Sequence, residues 1–157
     1  MAFDVNNPYF RTKVLTAPPE QLQLMLIEGC IHFVELGKLG LEEKDFEKVF
    51  ENLSQAKAIL FELLNNLKPE LAPEVCSNMA ALYTFLITEI THSSMQKAPH
   101  RLAEVIRLLN YERETWQLLI GKLAEEKGDQ AAPPTNPLPT VQAQAPQGAK
   151  QTISFSA

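Results

Sequence analysis

Apolar residues recur at steps of three and four over four long stretches of the chain, and proline or glycine bounds each stretch. The first runs from about Pro19 to Gly37 or Leu39. Pro18-Pro19-Glu20-Gln21 opens it with an acid in the first turn, and Gly37, Lys38 and Gly40 close it. A second runs from an Asp45 cap to about Leu67, with Phe46, Val49, Phe50, Leu53, Ala56, Leu60, Leu63, Leu64 and Leu67 on one broad face. The third covers Pro73 to Ser94 through Val75, Met79, Leu82, Tyr83, Leu86 and Ile90. The fourth starts at Pro99, carries Leu102, Val105, Ile106, Leu109, Trp116, Ile120 and Leu123, and ends near Gly128. No run alternates as a strand does, so the fold class is all-α. Helices of about 20 residues are about 30 Å long, and short connections make neighbours antiparallel. The pattern predicts an up-and-down four-helix bundle over 18–127, preceded by a lead-in of 17 residues and followed by a tail, 128–157.

Composition sharpens this outline. The chain has 157 residues, of which 45% are hydrophobic, enough for a real core. Six of the eleven prolines precede residue 100 and act as helix punctuation, while five crowd 133–146. That last segment is Ala, Gln, Pro and Thr with Asp129 and Lys150 as its charges, and is expected to stay disordered. The formal charge of −5 therefore belongs to residues 1–127, which disfavours nucleic-acid binding because phosphate contact needs clustered cations. Leu22–Leu41 contains Glu28, His32, Glu35 and Lys38, a poor membrane span, and Met1–Phe10 lacks the pattern of a secretory signal. A cytoplasmic, reduced location follows. Cys30 and Cys76 are too few for a disulfide scaffold.

Two helices carry more apolar surface than one bundle interface needs. At about 100° per residue, the first has Leu22, Met25, Leu26, Gly29, Phe33 and Leu36 on one side and Leu24, Ile27, Ile31 and Val34 on the other. The fourth adds Leu108, Tyr111, Leu118 and Leu119 to its core stripe, and Phe85 stands off the stripe of the third. A central helix buried on both sides, or the lead-in folded over it, is one explanation. A groove for a partner's amphipathic segment is the other, with Leu24, Ile27, Ile31, Val34, Phe85, Leu108 and Tyr111 as its apolar anchors.

Reactive groups are sparse. Glu89-Ile-Thr-His92 is one Glu-x-x-His motif of the kind that holds di-iron centres in bundles, and Glu28 and His32 lie four apart, but the second such motif is missing. Phosphate-cradling glycine loops and the nucleophile elbow are absent. The expectation is a protein without catalytic, metal-ligating or cofactor-binding residues. A metal-binding bundle enzyme and a helical adaptor for another partner are the alternatives.

Asn7-Pro8-Tyr9, Val14-Leu15-Thr16-Ala17, Pro19-Glu20-Gln21-Leu22 and Leu24-Met25-Leu26 with Gly29 resemble the flagellar export chaperone FliS family. Asn78, Leu82-Tyr83 and Glu114-Thr115-Trp116 extend the likeness to about residues 5–124. Where the family usually has Ser, Tyr, Asp and Ala, this chain has Pro18, Ile27, Glu28 and Cys30, which leaves Thr16 to cap the first helix. The resemblance implies a bundle that is not an enzyme. Its partner would be the disordered C-terminal segment of flagellin, kept from early polymerisation and delivered to the flagellar type III export gate. Tyr9 and Phe10 of the lead-in would be lids over the groove. A homodimer stays open.

Overall fold

Proline sets most of the helix starts. The computed structural model describes residues 7–130, the side chains only as far as Gly128. Five helices follow one another: α1 (Pro8–Thr16), α2 (Pro19–Glu43), α3 (Phe46–Asn65), α4 (Pro73–Gln96) and α5 (Pro99–Gln130). Four begin with a proline, whose fixed φ suits the first turn and whose missing N–H costs nothing there. The exception, α3, begins after Asp45, whose carboxylate accepts from Lys48 N at 3.1 Å, as the sequence predicts.

The boundaries differ from expectation in four places. The lead-in holds a short helix that the hydrophobic pattern does not mark: Asn7 caps α1 by accepting from Tyr9 N at 2.9 Å. Thr16 does not cap α2, because its hydroxyl donates back to Thr12 O at 2.8 Å, and Pro18 leaves that end without a side-chain cap. Gly37 and Gly40 do not stop α2, which continues to Glu43. Lys44 then reverses the chain at φ 60°, and Asp45 N donates to Gly40 O at 2.9 Å. Finally, α5 passes through Gly128 to Gln130, and the remainder of the expected disordered tail lies outside the described residues.

The two interior glycines have a packing role instead. A Cβ on Gly37 would lie 2.7 Å from Leu53 Cγ, and one on Gly40 would lie 3.0 Å from Val49 Cγ2 and 3.1 Å from Val49 N. Only glycine lets α2 approach α3 this closely. Small residues continue the seam, with the Cys30 thiol 3.6 Å from Ala56 O.

One core joins the four long helices. Ile27, Ile31 and Val34 of α2 meet Leu53, Leu60 and Leu63 of α3, Tyr83, Leu86 and Ile90 of α4, and Leu102, Val105 and Leu109 of α5. Each fully buried aliphatic side chain contributes about 1.5–3 kcal/mol before entropy is set against it. Neighbours run antiparallel. The start of α2 faces the end of α3 across a groove lined by Pro19, Leu22, Leu26 and Asn65–Lys68. The start of α5 faces the later half of α2. Lys97, just after α4, places its ammonium 4.5 Å from the centroid of Phe46 at the start of α3. This compact unit reaches Gly121. A second begins at Lys122, and within the described residues it consists of the last turns of α5. Among the described residues no helix is long and apolar enough to cross a membrane.

Candidate binding surface

The surplus apolar face of α2 is interior. Leu24, Ile27, Ile31 and Val34, expected to line a groove, are all buried, Ile27 and Val34 with no exposed surface. Because α2 is packed against α3 through its glycines and also contributes to the shared core, its apparent outer side is covered by its own bundle. The expectation is inverted for part of the opposite side, where Leu22, Leu26, Phe33 and Leu36 are only half-buried. Helix α3 also departs from its single-face reading. Phe46, Phe50 and Phe61 are exposed, and Val75 of α4 joins them outside.

The other three predicted anchors lie where a partner can reach them. Phe85 is 46% exposed, Tyr111 is 69% exposed, and Leu108 is half-buried. One ion pair and one hydrogen bond join the ends of the two helices that carry them. Arg101 at the start of α5 donates through Nη1 to both carboxylate oxygens of Glu89 on α4, at 3.0 and 3.1 Å. Ser93 Oγ donates to Ala98 O at 2.8 Å across the same turn. Together they pin the two helices at this end. Steps of seven and four from Arg101 reach Leu108, Glu112 and Leu119 on the same flank of α5. Steps of seven, four and three from Glu89 reach Leu82, Asn78 and Val75 on α4. The two helices that meet at this α4–α5 seam expose Val75, Phe85, Tyr111 and Leu119, with Leu108 half-buried.

Glu112, in the charged run Glu112–Glu114 of α5, lies near the buried Tyr83 of α4. Glu112 is 8% exposed, and its Oε2 has no hydrogen-bond partner. The Tyr83 hydroxyl is fully buried, with the Gln23 side chain of α2 as its neighbour. Burial pushes the Tyr83 phenol well above its ordinary range. Glu112 raises it further, and the Gln23 side chain offsets this in part. Burial also raises the Glu112 carboxyl, with the Trp116 indole pulling the other way. The Cys30 thiol, buried and free, is pushed up to about 12. The signal for Glu112 was present in the spacing 102, 105, 109, 112 and 116, an unbroken three–four rhythm.

Two further depressions flank α2. One, of about 440 Å³, lies between Glu35, Lys38, Leu39 and Glu42 of α2 and Ala103 and Ile106 of α5. The other, of about 400 Å³, is the groove at the start of α2. The lid candidates sit on α1, which buries none of its residues; Tyr9 is exposed and Phe10 half-buried beside Val14. The Glu-x-x-His pair is separated in role, since Glu89 holds Arg101 while His92 is exposed. Among the described residues no three His, Cys, Asp or Glu side chains gather as metal ligands.

A helical bundle that leaves large apolar side chains such as Phe85 and Tyr111 exposed has the construction of a small binding module. The comparisons with known proteins give this class a family. The family described as flagellar protein FliS matches residues 1–123, and the chain belongs to it. The flagellar secretion chaperone FliS of Bacillus subtilis is 31% identical over 119 residues, covering 74% of this chain and 88% of that protein. Those of Campylobacter jejuni and Salmonella typhimurium are 28% and 29% identical over 111 and 110 residues, covering 87% and 82% of their own lengths.

Proposed function

We propose that this protein is a cytoplasmic flagellar secretion chaperone that binds the disordered C-terminal segment of flagellin, prevents its early polymerisation and brings it to the type III export gate. The reading is supported by the unpartnered apolar edge of the α4–α5 seam in a chain whose relatives carry the name of secretion chaperones. The function is binding, not catalysis. A disordered segment with apolar residues at helical spacing would seat them against Phe85, Leu108, Tyr111 and Leu119. Each well-buried anchor contributes about 1.5–3 kcal/mol, against about 2–5 kcal/mol or more for ordering the segment. Leu24, Ile27, Ile31 and Val34 serve as the floor that holds these helices in place. The weakly packed helix α1, with Tyr9 and Phe10, is the element placed to move over or away from a bound client, and a homodimer would use the same kind of apolar cover.

Titration calorimetry with a flagellin C-terminal peptide tests the reading. Wild type binds, while Phe85→Asp with Tyr111→Asp loses affinity and keeps its circular dichroism and melting, because both positions are exposed. Ile31→Asp, by contrast, collapses the fold, since Ile31 is 5% exposed. Unchanged affinity in the seam variant rejects this surface. Light scattering of the free and peptide-bound protein reports the dimer.

A further inference from the structure

Helix α3 turns a row of aromatic side chains outward. Phe46, Phe50, Ser54, Lys57 and Phe61 follow one another at steps of four, four, three and four, which keeps them on one flank of the helix. The three phenylalanines are 46%, 73% and 50% exposed. Lys57, half-buried between them, forms no ion pair among the described residues. The row is symmetric about the junction of Leu53 and the small Ser54. Phe46 and Phe50 precede that point by as many residues as Phe61 and Lys57 follow it.

A row of this kind is complementary to itself. A second copy of α3, laid antiparallel about a two-fold axis at that point, sets Phe46 against the second copy's Phe61 and Phe50 against the second copy's Lys57. Each pairing then occurs twice, as an isologous contact requires. The aromatic pairs gain mutual burial over a helix length of about 22 Å. The lone ammonium gains the face of a phenylalanine. The chain already makes such a contact internally, where the Lys97 ammonium lies 4.5 Å from the Phe46 centroid. Ser54, the smallest member of the row, stands where the two helices would come closest. We infer that this flank of α3 is a homodimer interface, occupied by a second copy of the chain in antiparallel register. It does not rest on the client reading, because Phe85 and Tyr111 belong to α4 and α5.

Sedimentation velocity of the full chain over a range of concentrations tests the interface. Wild type dimerises reversibly. Phe50→Asp raises the dissociation constant about a hundredfold, since the change enters a two-fold contact twice, and its circular dichroism stays native because the position is exposed. Lys57→Glu weakens the dimer about tenfold and Lys57→Arg does not, and this pair decides the question if Phe50→Asp fails to fold. The register has its own readout. Ser54→Cys, in a Cys76→Ser background, forms a covalent dimer under mild oxidation. A wild type that stays monomeric up to about 100 μM overturns the inference. So does a dimer indifferent to Phe50→Asp and Lys57→Glu, or a Ser54→Cys protein that does not cross-link. Loss of flagellin-peptide affinity in Phe50→Asp with no change in sedimentation assigns the row to the client and overturns it as well.

Discussion

Replacing Gly37 by alanine adds one methyl group where α2 crosses α3. On an isolated helix this change is favourable, because alanine exceeds glycine by about 1 kcal/mol in a helix interior. Here the new Cβ falls 2.7 Å from Leu53 Cγ and closer still to Leu53 Cδ2. Leu53 is 2% exposed, so its movement displaces other core side chains. Overpacking of this kind costs about 1–3 kcal/mol. The net expectation is a loss of about 1 kcal/mol, or about 4 °C in Tm. Gly121→Ala is the control, since nothing lies within 4 Å of a Cβ there and the propensity gain of about 1 kcal/mol should appear undiminished. Leu53→Ala alone costs about 2–5 kcal/mol through its cavity. Combined with Gly37→Ala it costs less than the sum, because the methyl enters the vacated space. Urea unfolding of the four variants measures all of this. A Gly37→Ala protein as stable as Gly121→Ala, or strict additivity with Leu53→Ala, would show that α2 and α3 do not pack backbone to backbone.

Three other outcomes follow from the same structure. With its thiol pushed up to about 12 and no exposed surface, Cys30 resists alkylation in the folded protein at neutral pH, while half-buried Cys76 reacts; mass spectrometry of the two peptides before and after unfolding distinguishes them, and equal labelling refutes the burial. Asp45→Ala removes the only side-chain cap of α3 and lowers stability by about 1 kcal/mol in urea unfolding, where no change refutes the cap. Glu112 has a folded-state pKa above its ordinary value, so its protonated form favours the fold. That contribution is complete below the ordinary carboxylate value and lost as pH rises through the raised one. The stability of Glu112→Gln relative to wild type therefore increases as pH rises from the ordinary carboxylate value through the raised one, and a constant difference refutes the shift. Tyr83 and Cys30, the buried titratable groups beside it, stay protonated throughout that range and do not contribute.

The extent to which this molecule is legible in its sequence varies by residue. Pro19, Pro73 and Pro99 begin helices at the positions their covalent geometry dictates, and Asp45 caps α3 through a local hydrogen bond. Phe85 and Tyr111, which stand off their helices' stripes, are exposed for that reason. Ile27, Ile31 and Val34, on the second apolar face of α2, are buried, because periodicity separates the faces of a helix without saying how many of them are covered. Glu112 keeps the three–four rhythm of its helix in spite of its charge and is buried, whereas Phe50 keeps the rhythm of α3 and is exposed.

The sequence by itself determined the class of fold, the number of long helices, most of their first residues and the family. These rest on short-range terms: backbone dihedrals, local caps, and the repeat that places every third or fourth side chain on one side. Tertiary structure alone decided which apolar face is interior, why Gly37 and Gly40 are glycines, and that Glu112 is enclosed with an open acceptor oxygen. Each of those depends on what approaches from another helix. The free energy of an added methyl or a buried carboxylate is set by its neighbours across that gap, and a helix repeat carries no record of them.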